Sequence, residues 1–122
     1  MKAAVMTALK APLQVQEVPD PKPGPTDAVV RVEACGICRS DWHFWHGDWT
    51  WLGITAQLPR IMGHEFGGVV EAVGEQVRNF RPGDRVTVPF HLACGRCLYC
   101  YSGRSNLCGA GTMGFSLSLI HI

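Results

Sequence analysis

Two short stretches of the chain place soft metal ligands beside groups that can move a proton. The first contains Cys38, Ser40 and His43, and the second is Gly63-His64-Glu65. A thiolate, an imidazole, a hydroxyl followed by a second imidazole, and a carboxylate are what a protein needs to hold zinc and transfer a proton next to it. Other interpretations stay open on the residues alone. Cys35-Gly-Ile-Cys38 also has the spacing of a redox dithiol, and a lone histidine is usually structural.

A third stretch holds four cysteines within 15 residues: Cys94, Cys97, Cys100 and Cys108. Four thiolates can close a tetrahedral zinc site, and a site without an open position is structural. An iron–sulfur cluster and a pair of disulfides are the alternatives. The surrounding loop is polar and rich in glycine, and nothing else in the sequence indicates electron transfer, so structural zinc is favoured.

Composition and charge narrow the class of protein. The chain has 122 residues, 47% of them hydrophobic and 17% charged, with a formal net charge of +1. These are values of a single globular domain, and the charge provides no field that would gather nucleic acid or anionic lipid. The first residues are too short an apolar run for an export signal, and no stretch is long enough to span a membrane. We expect a cytoplasmic protein with neither a nucleic-acid nor a membrane partner.

The pattern of apolar residues and turn residues predicts a mainly β fold. Short strands alternate with proline- and glycine-containing turns, which is typical of a small β-barrel with few short helices. The strands are predicted at 2–6, 13–18, 28–34, 66–74 and 85–88, and a helical turn at 41–46. Ser40 is predicted to cap that turn, and 52–61 is predicted to be a loop. The glycines at the start of the 66–74 strand indicate a bulge or a close backbone approach.

Taken together, these motifs resemble those of zinc-dependent medium-chain alcohol dehydrogenases. The resemblance implies a GroES-like β-barrel domain over residues 1–115, with a structural-zinc loop at 94–108. Residues 116–122 leave the family pattern, and we interpret them as an atypical tail of a truncated chain. By the same resemblance, Cys38 and His64 are catalytic-zinc ligands and Glu65 is the acidic neighbour that steers His64. Further site residues implied by the resemblance are Ser40 and His43 as the proton relay and Arg39 as the residue facing the cofactor pyrophosphate.

The activity implied by the resemblance is oxidation of an alcohol to an aldehyde or ketone, with hydride transfer to NAD or NADP, in an enzyme that is a homo-oligomer. The family's third catalytic-zinc ligand and its Rossmann domain lie beyond this sequence, so we expect the 122-residue chain alone to be inactive. A polyol or threonine dehydrogenase of the same superfamily is a close alternative. A non-catalytic zinc-binding module is the alternative from another class, and it is favoured if only the four cysteines at 94–108 bind metal.

Overall fold

The computed structural model describes residues 1–110 and the strand at 112–113. The predicted tail at 116–122, and the last two residues of the predicted domain, lie outside the described residues. Within them the chain is mainly β, as the sequence predicts. The strands are β1 (Lys2–Met6), β2 (Gln14–Glu17), β3 (Ala28–Cys35), β4 (Arg60–Ile61), β5 (Phe66–Val73), β6 (Arg85–Thr87), β7 (His91–Leu92) and β8 (Thr112–Met113). The helices are α1 (Arg39–His46) and α2 (Leu98–Tyr101), with single 3₁₀ turns at Thr50–Leu52 and Ser105–Leu107.

The described strands form three antiparallel sheets. Their orders are β2-β1-β4, β3-β5-β6 and β7-β8. In the part of the chain that the structure describes, these sheets stay open and do not close into one barrel. No helix in this part is long and apolar enough to cross a membrane.

The core is built from strands β1 and β5 and from the segment just before β5. Ala3, Val5 and Met6 are buried on β1, and Val70 is buried on β5. Apolar burial of this kind is the main stabilising contribution to a small domain. Met62 and His64 are buried in the segment between β4 and β5, so His64 is anchored by the core itself.

Strands β3 and β5 lie very close to each other at Gly68. A Cβ atom on Gly68 would lie 2.1 Å from the carbonyl oxygen of Arg31, so only glycine fits there. The register of β3 against β5 shifts between Val29 and Val30 and again between Val32 and Ala34. The predicted close approach at the start of this strand is therefore confirmed.

The end of the β3–β5 pair brings the two predicted site stretches together. The last pair in the register is Cys35 with Phe66, and the amide of Gly36 donates to the carbonyl of Glu65 at 2.8 Å. Because these strands run antiparallel, the chain leaving β3 passes directly beside the chain entering β5. Residues 36–38 therefore lie next to His64 and Glu65.

Two local predictions differ from the structure. Helix α1 begins at Arg39 after an extended Cys38, and no side chain caps it, so the prediction of Ser40 as the cap is wrong. Ser40 is the second residue of the helix, and its hydroxyl is engaged by Cys38 and His64.

The predicted loop at 52–61 contains β4, which pairs with β1 through Val5 and Ile61. Two residues are too few to show the alternation of apolar and polar side chains that predicts a strand. Only the pairing with β1 identifies β4.

Candidate metal centres

Cys38, His64 and Glu65 converge, and each offers one ligand atom within 4.8 Å of the other two. Cys38 is half-buried, His64 is buried and Glu65 is exposed. A thiolate, an imidazole and a carboxylate are all zinc ligands, and three protein ligands with an open position are typical of catalytic zinc. The donor set therefore fits zinc, and the structure adds Glu65 as a third donor beside the pair implied by the resemblance.

Asp41 is the residue that orients His64. Its Oδ1 atom lies 3.2 Å from His64 Nδ1 and also accepts the amide hydrogen of Gly63 at 3.2 Å. An ionised carboxylate can only accept, so Nδ1 carries the proton and Nε2 is left as the metal-binding atom. The Asp41 carboxylate is thus placed to fix the tautomer of His64, and the steering role expected of Glu65 stays a prediction.

Ser40 touches both of the predicted zinc ligands. Its Oγ atom lies 3.0 Å from Cys38 Sγ and 3.1 Å from His64 Nε2, so its single hydrogen can point to either atom. Helix α1 sets this position, because Ser40 lies in its first turn, two residues after Cys38. A hydroxyl at that place can exchange a proton with a molecule bound at the metal.

His43 lies one helical turn beyond Ser40, and its described hydrogen bond is to Asp48. The Nδ1 atom of His43 lies 2.7 Å from Asp48 Oδ2, and His46 Nδ1 lies 2.5 Å from Asp48 Oδ1. These two hydrogen bonds, first that of His43 and then that of His46, lower the pKa of the Asp48 carboxyl. The described hydrogen bonds do not join His43 to Ser40, so the two predicted relay residues share a helix but are not in direct contact through those bonds.

Arg39 is exposed, and its guanidinium lies over the ring of Trp42, 5.3 Å from the centroid. That cation–π contact holds the side chain at the start of α1 without burying its charge. The role of Arg39 towards a cofactor pyrophosphate stays a prediction.

Glu65 and Arg39 were both singled out in the sequence, whereas Asp41 and Asp48 were not. The one sequence signal for Asp41 is its place as an acidic residue in the first helical turn.

The four cysteines at 94–108, which we call the cysteine lobe, form a second and separate cluster. Their sulfur atoms all lie within 4.8 Å of one another, with Cys97 Sγ 3.5 Å from that of Cys100 and 3.9 Å from that of Cys108. Four zinc–sulfur bonds of ordinary length place the sulfurs of a tetrahedron about 3.8 Å apart. All six cysteines of the chain are free thiols, so the pair of disulfides considered from the sequence is absent in this structure. An iron–sulfur cluster binds its cysteines to different iron atoms, whereas sulfurs that all lie within 4.8 Å of one another suit a single ion.

Hydrogen bonds and burial shift the pKa values of three thiols of the cysteine lobe. The amide of Arg96, and then the thiol of Cys108, lower the pKa of Cys94 to about 6. The amide of Cys100 lowers the pKa of Cys97, whereas burial raises the pKa of Cys100 to about 11. Gly95 has a left-handed φ of 70°, which lets the chain turn between the first two ligands. The Cys94 thiol therefore ionises more readily than an ordinary cysteine thiol.

A cavity of about 600 Å³ opens beside the β3-β5-β6 sheet. Its walls include Val70, Phe80 and Val86, and none of the proposed metal or relay residues lines it. This apolar space is therefore distinct from the metal centre at Cys38 and His64.

Comparison with known proteins identifies the class that this fold and these centres define. Residues 24–119 match the family model of the alcohol dehydrogenase GroES-like domain. That match covers most of the chain, and the chain belongs to this family.

Known relatives agree with the family assignment. An alcohol dehydrogenase of Geobacillus stearothermophilus is 49% identical over 109 residues, which are 88% of this chain and 32% of the relative. An L-threonine 3-dehydrogenase of Solibacter usitatus (strain Ellin6076) is 42% identical over 118 residues, 97% of this chain and 34% of the relative. The crystal structure of an NAD-dependent alcohol dehydrogenase superposes with a TM-score of 0.77 at 37% identity, covering 93% of this chain and 33% of that one. The chain spans about a third of the length of the relatives it matches.

Proposed function

We propose that this chain supplies the zinc ligands and the first proton-transfer groups of a zinc-dependent alcohol dehydrogenase. The enzyme oxidises an alcohol to an aldehyde or ketone and transfers a hydride to NAD or NADP. The observation that carries this proposal is the convergence of Cys38, His64 and Glu65 within 4.8 Å, with the Ser40 hydroxyl on two of the three. Family membership supports the reaction class.

Within this chain, three side chains offer ligand atoms for the catalytic zinc: Cys38 through Sγ, His64 through Nε2 and Glu65 through a carboxylate oxygen. Zinc supplies a Lewis acid that makes the hydroxyl of a bound alcohol a stronger acid. Asp41 keeps the His64 ring in the tautomer whose Nε2 atom is free to bind. The cysteine lobe would hold a structural zinc, because its four thiolates leave no open position.

Ser40 would receive the proton that the alcohol loses, since its Oγ atom lies against both Cys38 and His64. His43, three residues further on the same helical face, would accept that proton and carry it towards the surface. The side chain of His43 is about one-third exposed, which gives the proton a way to solvent. Direct transfer is not required, because one intervening water can link the two groups.

The remaining parts of the proposal depend on the family resemblance. Arg39 is exposed at the start of α1, where its charge could contact the pyrophosphate of NAD or NADP. A small-molecule alcohol or aldehyde, a homo-oligomeric enzyme and a cytoplasmic location follow from the same resemblance. The formal net charge of +1 agrees with a partner that is neither nucleic acid nor an anionic membrane.

A domain exchange tests the activity. The matched residues of the Geobacillus stearothermophilus alcohol dehydrogenase are replaced by those of this chain, which are 49% identical. We expect the chimera to reduce NAD or NADP in the presence of a simple alcohol, and the same chimera with Cys38→Ser to be inactive. A folded, zinc-loaded chimera without dehydrogenase activity would contradict the proposal.

A threonine or polyol dehydrogenase is a second candidate within the same superfamily. The observation that favours it is the L-threonine 3-dehydrogenase relative, which is 42% identical over 97% of the chain. The chimera decides between the candidates when its kcat/KM is compared for a primary alcohol, L-threonine and a polyol. A kcat/KM at least tenfold higher for L-threonine or the polyol would favour the second candidate.

A non-catalytic zinc-binding module is the competing function from another class. Cobalt distinguishes it, because cobalt bound by four thiolates and cobalt bound by one thiolate, one imidazole and one carboxylate absorb differently. If the chain takes up one cobalt and Cys38→Ser leaves its spectrum unchanged, only the cysteine lobe binds metal. Two cobalt ions in the wild-type chain, with loss of one spectral component in Cys38→Ser, support the catalytic proposal.

A further inference from the structure

The carboxylate of Asp48 is shared between two histidines at the end of helix α1. Its Oδ2 atom lies 2.7 Å from His43 Nδ1, and its Oδ1 atom lies 2.5 Å from His46 Nδ1. Both oxygens are thus used, each by a different ring. We call these three residues the His–Asp–His cluster.

Backbone hydrogen bonds at the end of α1 place Asp48 beside His43 and His46, and no metal is needed for this. Helix α1 ends at His46, and the next residue, Gly47, has a left-handed φ of 79°. The amides of Gly47 and Asp48 both donate to the carbonyl of His43 at 3.0 Å. The hydroxyl of Thr50 donates to the carbonyl of Gly47 at 2.9 Å. This turn folds the chain back, so the Asp48 side chain lies against the last turn of the helix.

Aromatic side chains hold both histidine rings in place. The His46 ring stacks on Trp42, with centroids 4.8 Å apart and planes 7° from parallel. The His43 ring lies edge-on to the same Trp42 at 5.2 Å and lies 5.7 Å from Trp49. Packing on these faces restricts rotation of the rings, so the nitrogen that meets Asp48 is fixed.

We propose that Asp48 is a positioning residue that fixes the proton of His43 on Nδ1 and so leaves Nε2 as the atom that accepts the proton in the relay. An ionised carboxylate has no hydrogen to donate, so both histidine Nδ1 atoms that contact it must carry one. A neutral imidazole has one N–H, and the other nitrogen is then a proton acceptor. The relay role of His43 rests on the proposed function, whereas the fixed tautomer does not.

The charge of Asp48 supports this arrangement. Hydrogen bonds from His43 and then from His46 lower the pKa of the Asp48 carboxyl, so it is ionised at neutral pH. Among the described residues, the Asp48 carboxylate makes its hydrogen bonds to these two histidines. On the Trp42 ring that packs against both histidines, the guanidinium of Arg39 lies 5.3 Å from the centroid.

Nitrogen-15 NMR of the histidine rings tests the proposal on this 122-residue chain, without any activity assay. At a pH where the imidazoles are neutral, the wild-type chain should show His43 and His46 with the proton on Nδ1. Asp48→Asn offers a single accepting oxygen, so at most one ring should keep that tautomer. Asp48→Ala offers none, and both rings should lose it.

His91 serves as the internal control, because its Nε2 atom contacts the carbonyl of Ser105 at 3.1 Å, remote from Asp48 in sequence. Its ring signals should be the same in all three proteins. A neutral wild-type His43 with the proton on Nε2 overturns the proposal, and this result needs no variant to fold. Retention of the Nδ1 proton on both rings in folded Asp48→Ala also overturns it.

The same variants separate this inference from the proposed function. If the chimera is active but His43 has the same tautomer with and without the Asp48 carboxylate, only the positioning role is overturned. An inactive chimera in which Asp48 does fix the tautomer would overturn the dehydrogenase proposal alone. In an active chimera, Asp48→Ala should shift the pH dependence of kcat, which a purely structural role would leave in place.

Discussion

Asp41 and His64 are joined by a contact of 3.2 Å between a carboxylate oxygen and Nδ1, and this contact decides which ring nitrogen can bind a metal. His64 is 4% exposed, so water cannot readily replace Asp41 as the partner. The same oxygen accepts the Gly63 amide, which ties the ring to the backbone beside it. Carboxylate partners of this kind raise the metal affinity of the histidine that they orient.

We therefore expect Asp41→Asn to weaken metal binding at Cys38, His64 and Glu65 by about 10- to 100-fold. The cysteine lobe is first filled with zinc, and cobalt affinity at the remaining centre is then measured by absorption. Asp20→Asn is the matched control, since Asp20 is an exposed carboxylate paired with the N-terminal amine. Equal cobalt affinities in Asp41→Asn and the wild type would show that Asp41 does not orient the ligand.

Ser40→Ala should lower turnover of the chimera by about 10²- to 10⁴-fold, the contribution of a positioned proton-transfer group. Zinc content should stay the same, because the hydroxyl does not belong to the proposed ligand set. The measurement is kcat together with metal analysis of the same sample. Ser102→Ala is a suitable control, because its hydroxyl donates to the Tyr99 carbonyl on the exposed surface. Loss of zinc in parallel with turnover would instead assign Ser40 a role in metal binding.

Gly68→Ala should destabilise the fold by about 2–3 kcal/mol, because overpacking forces the surrounding backbone to move. The new methyl group would lie 2.1 Å from the Arg31 carbonyl oxygen in the adjacent strand. Gly67→Ala, one residue earlier on β5, places its methyl group 3.4 Å from the Val86 carbonyl oxygen and should cost much less. Chemical denaturation of the zinc-loaded chain gives both values. Equal stability of the two variants would mean that β3 and β5 are not so closely packed.

Zinc binding to the cysteine lobe should release fewer protons as the pH rises through about 6. The pKa of Cys94 is lowered to about 6, so below that pH the Cys94 thiol gives up its own proton when zinc binds. Above that pH the Cys94 thiol is already ionised, so its proton no longer leaves on binding. Zinc affinity therefore rises with pH throughout and rises most steeply at the acid end.

Calorimetry in buffers of different ionisation enthalpy counts these protons. The Cys38→Ser variant removes one ligand of the other centre, so that zinc binding there does not dominate the signal. Release of four protons at pH 7.5 would contradict the lowered pKa of Cys94.

The sequence predicted those features whose cause is local. The cysteine lobe brings its four ligands within 15 residues, so spacing alone was enough to propose the site. Strands β1, β3 and β5 carry the long β-rich runs, and their predicted bounds differ from the observed ones by at most one residue. The mainly β class follows from the same runs.

The features that sequence reasoning missed depend on contacts between distant segments. Asp41 lies 23 residues before His64, and nothing in the local pattern pairs them. Ser40 was predicted to cap a helix because its residue type favours caps, but contacts with Cys38 and His64 engage its hydroxyl. Asp48 follows a glycine that ends the helix, and only the folded turn returns its carboxylate to His43.

The cysteine lobe also fixes an order of events during synthesis. Its last ligand, Cys108, precedes Thr112, where β8 begins, and β8 completes the sheet with β7. All four thiols therefore leave the ribosome before the strand that closes this region of the protein. Metal capture by the four thiols needs no residue of β8, so it can precede the pairing of β7 with β8.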